Sequence, residues 1–390
     1  MTLRVRTGLD VLAASSFGSL RGQRLGVVAH PASVDSRLAH IVDLLIATGL
    51  RPAVVFGPEH GFLGEAQDLI GVGDTAMEGI RIVSLYGSTV ASLRPTREQL
   101  EDLDVLVIDL QDVGSRYYTF QATMLYCLEA AAECGVRVVV LDRPNPIGGV
   151  EVEGPALVPG YESFIGAYPI AVRHGLTVGE LATLYRAERR INVDLTVVRC
   201  EGWTRDMDWD ATGLSWVLPS PNMPIVDTAY VYPGQCLIEG TNVSEGRGTT
   251  RPFELCGFPG INARSLCARL SREGLPGVAF RSAWFQPTFQ KHVDKLCAGV
   301  QLHVVDRLKL RPVRMGLVVL AALREAIGNR FEWRTEEYEF VRDPIAIDLL
   351  FGSDRERKAI EAGIPARDIS ATWDVEEADF RERRRPHLLY

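Results

Sequence analysis

The stretch DVLVIDLQDVGSRYYTF, residues 104–120, contains the pattern that decides the fold. It starts with a β-branched apolar run of the kind that is buried on both faces of a sheet. An apolar-periodic segment follows from about Thr119 to Glu133, Gly135 is a typical helix stop, and a second apolar run, VRVVVLD, occupies residues 136–142. This order predicts a β-α-β unit and therefore parallel strands.

The same pattern occurs nearer the N-terminus. LGVVA at 25–29 is followed by an amphipathic segment at 37–48 and by the run AVVFG at 53–57. Runs that are apolar on both faces suit strands covered by helices on both sides. Residues 1–150 are therefore predicted to form a Rossmann-like, doubly wound parallel α/β domain.

The pattern changes after residue 150. Segments 177–190 and 312–328 are typical of helices, and the segments typical of strands are LTVVR, GVAFRSAWF and GVQLHVVD. Residues 151–390 are predicted to form a second, smaller α/β (α+β) domain. The long irregular loop 201–224, rich in Gly, Pro and Trp, is expected to be functional. The charged helical segment 354–390 is expected to be a solvated cap.

Composition narrows the class of protein. Hydrophobic residues make up 46% of the chain, and the formal net charge is −8 with a pI of about 5.5, so no basic footprint for nucleic acid is present. The seven cysteines show neither CxxC spacing nor a disulfide pattern. Neither a signal peptide nor a membrane span is visible, which favours the cytoplasm, although removal of a signal would leave the same start. We expect no metal, cofactor, nucleic-acid or membrane partner; the oligomeric state stays open.

Several common catalytic motifs are missing. No GxGxxG or GxxxxGK[ST] follows the first strand, which disfavours nicotinamide and nucleotide enzymes. GxSxG and HExxH are missing too, since Glu59 and His60 are adjacent in PEHG. Serine hydrolases and zinc proteases are therefore disfavoured.

Polar turns follow each predicted strand: His30–Pro31, then 57–61, 111–118 and 142–149. The carboxyl ends of strands in an open α/β sheet border the ligand crevice, so these turns predict the site. Any single turn is equally explained as ordinary loop punctuation.

The residue types in and near these turns are those of a sugar hydrolase. A glycosidic bond breaks through an oxocarbenium-like transition state, which requires a carboxylic acid and usually a second group. Aromatic faces pack against sugar rings. The candidates are Glu59, Asp109, Asp112, Asp142, Glu153, Arg116, Arg143, Arg247, Tyr117, Tyr118 and the tryptophans.

Glu59 is the strongest of these candidates because it lies in a rigid turn between Pro58 and His60, and burial is how enzymes keep a carboxylic acid protonated. His60 is expected to orient Glu59 or contact substrate, or to be satisfied by local backbone. Asp112 and Asp142 have the alternative of capping a turn or pairing with an arginine.

A glycine-rich polar loop, EGTNVSEGRGTTRPFE at 239–254, contains Asn242, Glu245, Arg247 and Arg251. It lacks apolar periodicity and is interpreted as a substrate-binding loop. The alternative is a surface loop with internal salt bridges.

Segments from about residue 8 to residue 352 resemble, in order, the NamZ/YbbC family, also named DUF1343. The segments that carry the resemblance are FGPEHGFLGEAQ, DVLVIDLQDVGSRYYTF, VVVLDRPNPIGG, VEGP, YPIAVRHGLTVGEL, EGWTRDM, PSPNMP, YPGQCLIEGTNVSEGRGTTRPFE, FQPTFQKH and GVQLHVVD. The family consists of exo-β-N-acetylmuramidases, which remove terminal N-acetylmuramic acid from the non-reducing end of peptidoglycan fragments. The resemblance implies this activity, a Rossmann-like domain beside a smaller α/β domain, and an active cleft between them.

The resemblance also implies site residues. Glu59, in PEHG, is the leading general acid or base, and Asp112 and Asp142 are further catalytic candidates. Of the substrate-binding residues, the resemblance implies Arg143, Asn145, Glu245 and Arg247; the full predicted set is His60, Arg116, Tyr117, Tyr118, Arg143, Asn145, His174, Asn222, Asn242, Glu245 and Arg247. N-acetylmuramic acid carries a lactyl carboxylate, for which a bidentate arginine is the natural partner, so Arg143 or Arg247 is expected to bind it.

One loop departs from the family pattern. The family usually has a short Ala-Gly-acid turn after GEAQ, whereas this chain has DLIGVGD at 68–74. Asp68 or Asp74 is expected to supply the acid. Two alternatives to a muramidase stay open: a different sugar-processing enzyme on the same scaffold, and a non-catalytic muropeptide-binding protein.

Overall fold

The computed structural model describes residues 4–67, 70–77 and 79–390. Its larger sheet contains the strands β1 (Leu25–Ala29), β2 (Val54–Gly57), β3 (Thr75–Met77), β4 (Ile80–Ser84), β5 (Val105–Asp109), β6 (Arg137–Leu141) and β7 (Leu195–Val198). Within the described ranges the strand order is β3-β4-β2-β1-β5-β6-β7, and β3 alone pairs antiparallel. The six parallel strands therefore follow the order of a Rossmann-like, doubly wound sheet, with the switch point between β1 and β5.

Both faces of this sheet are covered by helices. On one face lie α1 (Gly8–Ala14) and α2 (Ile41–Ala47), and on the other lie α3 (Arg97–Leu100), α4 (Phe120–Cys134) and α5 (Val178–Glu188). Neighbouring strand residues point to opposite cores: Val107 packs with α1 and α2, whereas Ile108 packs with α4 and α5. This two-sided burial is the physical reason for the unbroken apolar runs in the sequence.

The C-terminal half contains a second, antiparallel sheet in the order β8-β10-β9, formed by β8 (Leu255–Pro259), β9 (Val278–Phe285) and β10 (Cys297–Val304). The remaining helices are α6 (Trp209–Thr212), α7 (Val226–Gln235), α8 (Ala263–Arg272), α9 (Pro312–Ile327), α10 (Ala346–Phe351), α11 (Arg355–Glu361), α12 (Ala366–Ala371) and α13 (Asp374–Arg384). The predicted fold class, a Rossmann-like α/β sheet with a second, smaller α/β unit, is confirmed.

Helices α7 and α9 touch backbone to backbone at Gly234 and Gly316. A Cβ atom on either glycine would collide with the backbone of the other. This close approach fixes the end of α7 and the single 3₁₀ turn that follows it, Cys236–Gly240. The position of that turn matters because it supplies a wall of the cleft described below.

The structure extends some expectations and overturns one. The sheet predicted for residues 1–150 takes its last strand, β7, from beyond residue 150. The expectation that 354–390 is a solvated cap is wrong, because Trp373 and Phe380 are buried and the Tyr390 hydroxyl donates to Asp142. No helix within the described residues is long and apolar enough to cross a membrane.

A buried carboxyl, Glu153, lies where the two halves of the chain meet. Its backbone pairs with Arg173, and its Oε1 accepts the N–H of Arg314 at 2.7 Å. Burial raises the pKa of Glu153 to about 7, although Arg173 and Arg314 oppose this effect.

We expect this carboxyl to make stability depend on pH. Because its pKa rises on folding from 4.5 to about 7, Glu153 stabilises the folded state below pH 4.5, and this contribution is lost as the pH rises through 7. The loss is on the order of 3 kcal/mol. Glu153→Gln removes the titration, so its stability relative to the wild type should increase between pH 5 and pH 8 in urea unfolding. Parallel pH profiles for the two proteins would contradict this expectation.

Candidate active site

A cleft with about 420 Å³ of empty space, which includes solvent at its mouth, lies between the carboxyl edge of the larger sheet and the C-terminal half. One wall comes from the turns after β2 and β5, and the rest comes from residue 165, the loop before α7, α7 with the turn that follows it, the loop before β8 and the segment after α9. The residues that line it are Glu59, His60, Tyr117, Tyr118, Thr119, Ile165, Ser220, Asn222, Met223, Tyr232, Glu239, Arg247, Phe253, Tyr338 and Glu339.

Glu59 is held in a tight turn directly after β2. The N–H of Gly61 donates to the carbonyl of Pro58 at 3.0 Å, and His60 has a left-handed φ of 72°. The Glu59 side chain is 6% exposed, and its Oε2 accepts the hydroxyl of Thr119 at 2.6 Å. Its other oxygen accepts no hydrogen bond from the described residues, so one oxygen is held and the other is available to a ligand.

The loop after β5 supplies Tyr117, Tyr118 and Thr119. It is anchored by Arg116, which is fully buried and donates four hydrogen bonds of 2.8–3.0 Å to backbone carbonyls. The acceptors are the carbonyls of Pro155, Ile170, Leu350 and Phe351. Burial lowers the pKa of Arg116 to about 10, so it stays charged at neutral pH. Arg116 is therefore an anchor of the cleft wall.

The opposite wall contains Glu239, 5% exposed, on the 3₁₀ turn after α7. Its Oε1 accepts from Arg247 Nη2 at 2.7 Å, and its Oε2 accepts the Tyr338 hydroxyl. Burial raises the pKa of Glu239, but the charge of Arg247 and the hydrogen bond from Tyr338 outweigh burial, so the pKa lies below its usual value. This wall therefore carries a fixed anion.

Three of the residues that line the cleft have left-handed backbone. His60, Phe253 and Glu339 all have positive φ, at 72°, 62° and 49°, although none is glycine. Such conformations cost free energy, and they persist at functional sites where the surroundings enforce them. Here they turn lining side chains into the cleft.

Six of the predicted site residues line this cleft: Glu59, His60, Tyr117, Tyr118, Asn222 and Arg247. The ring of His60 is also satisfied locally, with Nδ1 2.9 Å from the Ala66 carbonyl. Asn222 donates to Gln67 at 2.8 Å. Only some of the polar turns predicted at the strand ends therefore contribute to the wall of the cleft.

Asp142 is not brought to the cleft. Its Oδ1 accepts the N–H groups of Arg143 and Gly179, and its Oδ2 accepts the hydroxyls of Thr177 and Tyr390. Burial raises its pKa to about 6 against these donors. The expected catalytic role is not supported by this position: Asp142 does not line the cleft and instead joins the end of β6 to α5 and the C-terminus.

Asp112 is also outside the lining. Its Oδ2 accepts the N–H of Gly114 at 2.6 Å and lies 3.2 Å from Nε2 of His174, whose Nδ1 accepts the N–H of Leu176. This buried pair shapes the loop that precedes Arg116. Asp112 Oδ1 is buried without a hydrogen-bond partner among the described residues, and the roles predicted for Asp112 and His174 stay predictions.

Arg143 has its guanidinium committed to Asp109 through a bidentate pair, with distances of 2.6 and 2.8 Å. It borders a separate, smaller pocket beside Val34 and Trp209. Because Arg143 borders this separate pocket and does not line the cleft, it is not placed to bind a substrate carboxylate there.

Three further predicted substrate-binding residues make structural contacts instead. Asn145 donates to the Leu176 carbonyl at 2.9 Å, and Asn242 donates to the Arg330 carbonyl at 2.9 Å. Glu245 lies behind Arg247, with Oε2 2.9 Å from Lys291 Nζ. These contacts stabilise the loops that support the cleft.

In the departing loop 68–74, Asp68 lies outside the described residues. Asp74 accepts the N–H of Ser84 at 3.1 Å and lies 3.6 Å from Arg81, beside β4 rather than in the cleft.

Sequence reasoning missed several lining residues, among them Thr119, Glu239, Tyr338 and Glu339. Thr119 directly follows the aromatic pair Tyr117–Tyr118, and Glu239 opens the glycine-rich loop, so both were within reach of the motifs. Tyr338 and Glu339 lie in RTEEYEFVRD, which carries no motif signal. Their position is evident only from the fold.

Comparisons with known proteins agree over the whole chain. The family model "Exo-beta-N-acetylmuramidase NamZ, N-terminal" matches residues 25–227, and the corresponding C-terminal model matches residues 230–390. The peptidoglycan β-N-acetylmuramidase NamZ of Bacillus subtilis (strain 168) is 45% identical over 390 residues, covering 99% of this chain and 92% of the relative.

Solved structures show the same similarity. A crystal structure of a DUF1343 family protein from Bacteroides fragilis superposes with a TM-score of 0.89 at 33% identity, covering 100% of this chain and 99% of that one. A second DUF1343 structure from the same organism gives a TM-score of 0.78 at 30% identity, covering 99% of each chain. With both family models, a curated relative and the fold in agreement, the chain belongs to the exo-β-N-acetylmuramidase NamZ family.

Proposed function

We propose that this protein is an exo-acting β-N-acetylmuramidase that releases terminal N-acetylmuramic acid from the non-reducing end of peptidoglycan fragments, in cell-wall turnover and recycling. It is a glycoside hydrolase by its family and by its 45% identity to a curated peptidoglycan β-N-acetylmuramidase. The proposal for its chemistry rests on one observation: a buried carboxyl, Glu59, lies in the wall of a cleft rich in aromatic side chains.

In this proposal Glu59 is the general acid. Breaking a glycosidic bond requires a proton on the leaving oxygen, and a carboxylic acid at hydrogen-bond distance supplies it. Thr119 holds Oε2 at 2.6 Å and thereby aims the other oxygen at the substrate. Thr119 is a positioning residue, because it acts through Glu59.

The aromatic side chains suit a sugar in this cleft. Tyr117, Tyr118, Tyr232 and Phe253 line it, and the rings of Tyr232 and Phe253 contact each other edge to face at 4.8 Å. Aromatic rings offer apolar faces that pack against the C–H face of a sugar and exclude water. Exclusion of water strengthens the electrostatic interactions of the charged groups in the cleft.

Arg247 is our candidate for binding the lactyl carboxylate. It is the arginine among the residues that line the cleft, and its guanidinium lies 4.9 Å from the centre of the Phe253 ring. A guanidinium offers a planar fork of donors that suits a carboxylate. Arg247 Nη2 and Nε also donate to Glu239, and Arg143, the other candidate from the sequence, lies at a separate pocket rather than at the cleft.

The state of the cysteines supports a cytoplasmic setting. All seven are free thiols, and such thiols persist in reducing compartments. The substrate proposed on this basis is a soluble fragment of peptidoglycan that has been imported.

Replacing the proposed acid tests the function directly. Glu59→Gln should lower kcat on the disaccharide MurNAc-GlcNAc by about a hundredfold or more, because the amide cannot donate the required proton. Release of N-acetylmuramic acid is measured by chromatography, with circular dichroism to confirm folding. Glu101→Gln, an exposed glutamate of the same domain, is the matched control and should behave as wild type. Equal release by Glu59→Gln and wild type would move the acid elsewhere.

The lactyl assignment predicts a selective change in binding. Arg247→Lys should raise the inhibition constant of free N-acetylmuramic acid about tenfold, because lysine cannot make the bidentate contact. The constant for N-acetylglucosamine, which lacks the lactyl group, should stay within about twofold. Arg251→Lys is the control on the same loop, since Arg251 is half-exposed and pairs with Glu254. An equal rise for both sugars would show that Arg247 does not read the lactyl group.

A further inference from the structure

Glu239 is a second buried carboxylate in the cleft, facing it from the C-terminal half. Glu59 comes from the turn after β2, whereas Glu239 comes from the turn after α7, and both line the same cavity. A glycosidase commonly needs two carboxyl groups, one to protonate the leaving oxygen and one to act on the sugar. The two aspartates predicted for the second role, Asp112 and Asp142, are engaged elsewhere.

The surroundings of Glu239 maintain its negative charge. Arg247 donates to Oε1 through Nη2 at 2.7 Å and Nε at 3.3 Å, and Tyr338 donates to Oε2. Hydrogen bonds to the ionised form of a carboxyl favour that form. Glu239 is therefore held as an anion and in one orientation.

A second layer holds Arg247 and the turn itself. Lys291 Nζ contacts the carbonyls of Ile238 and Val243 at 3.1 Å and the Glu245 carboxylate at 2.9 Å. Arg247 Nε lies 3.6 Å from Glu245. Opposite charges thus alternate from Glu239 through Arg247 and Glu245 to Lys291, and these contacts fix the position of Glu239.

The backbone that brings Tyr338 to Glu239 is strained. Tyr338 and Val341 exchange hydrogen bonds of 2.8 and 3.0 Å around a two-residue turn. Its central residues, Glu339 and Phe340, have φ of 49° and 66°. Turns of this shape normally use Asn and Gly. The presence of Glu and Phe indicates that the contacts of their side chains offset the free-energy cost of the left-handed backbone.

We propose that Glu239 is the second catalytic carboxylate, an ionised group that stabilises the positive charge developing on the sugar ring. This rests on the function proposed above. As the C1–O bond breaks, its electron pair leaves with the glycosidic oxygen, which takes the proton of Glu59. The sugar is left with a positive charge shared by C1 and the ring oxygen, and Glu239 faces that charge without changing its own. Water then captures C1 through its oxygen and releases a proton to solvent, and Glu59 takes a proton from solvent before the next turnover.

Comparing two substrates distinguishes the role of Glu59 from that of Glu239. MurNAc-GlcNAc needs a proton on its leaving group, whereas the 4-nitrophenyl glycoside of N-acetylmuramic acid, whose leaving group is a stable anion, does not. Glu59→Gln should lose far more activity on the disaccharide than on the aryl glycoside. Glu239→Gln should lose about a hundredfold in kcat on both, with KM within about threefold.

Azide gives a readout that a merely structural role would not change. In Glu239→Ala, azide can occupy the space of the lost carboxylate and attack C1, forming a C1–N bond as the nitrophenolate leaves with its electron pair. Rescue of nitrophenolate release by at least about tenfold, with the glycosyl azide detected by mass spectrometry, would support the proposal. Absence of both in a folded variant would overturn it.

Further variants keep the test decisive if Glu239 variants fail to fold. Tyr338→Phe keeps the ring and removes the hydroxyl that Glu239 accepts, and should lower kcat on both substrates about tenfold. Glu336→Gln, an exposed neighbour, is the control and should leave activity unchanged. Wild-type rates in folded Glu239→Gln or Tyr338→Phe would overturn the role of Glu239 alone. Failure of the wild-type enzyme on both substrates would instead overturn the proposed function.

Discussion

The buried guanidinium of Arg116 is the contact on which the arrangement of the two halves depends. It has no carboxylate partner among the described residues, and its four hydrogen bonds go to carbonyls of three separate segments, near residues 155, 170 and 350. A charge removed from water is tolerated only when donors and acceptors are matched, so these segments are held in register around it. The next residues along the chain, Tyr117 to Thr119, line the cleft, and Thr119 in turn holds Glu59. Arg116 is thus connected to the proposed acid, Glu59, through Thr119.

The crevice at the sheet's own switch point contains buried protein groups and a small pocket that Arg143 borders. Between β1 and β5, the buried pair of Asp109 and Arg143 occupies the carboxyl edge. His30 joins the two strand ends there: its Nε2 accepts the N–H of Gln111, and its Nδ1 contacts the carbonyl of Pro219. Burial lowers the pKa of His30 well below its ordinary value, so the ring is neutral and its two nitrogens act as acceptor and donor. The cleft that contains Glu59 lies further along the edge, beside the C-terminal half.

Local patterns in the sequence predicted what depends on local physics. The strand at 25–29 is predicted to the residue, and Gly135 ends α4 in the left-handed conformation expected of a helix stop. The turn containing Glu59 follows its strand as expected. Local patterns could not predict contacts between distant residues. Such contacts decide which strand-end side chain faces the cleft: Asp142 accepts a hydrogen bond from Tyr390, which is 248 residues away. Asp142 and Glu59 therefore look alike in sequence and differ in the fold.

For the same reason, the wall that contains Glu239 could not be predicted from the sequence. Glu239 becomes a fixed anion only because Tyr338, 99 residues away, reaches it across a turn whose backbone is left-handed at two non-glycine residues. Local propensity argues against such a turn, so no pattern predicts it, and the strain is tolerated because burial of Tyr338 and the hydrogen bond to Glu239 hold it in place. The conformation departs from local preference at Phe253 and Glu339 on this wall and at His60 on the wall that contains Glu59. Both walls therefore combine segments that follow local rules with single residues that their surroundings hold in disfavoured backbone.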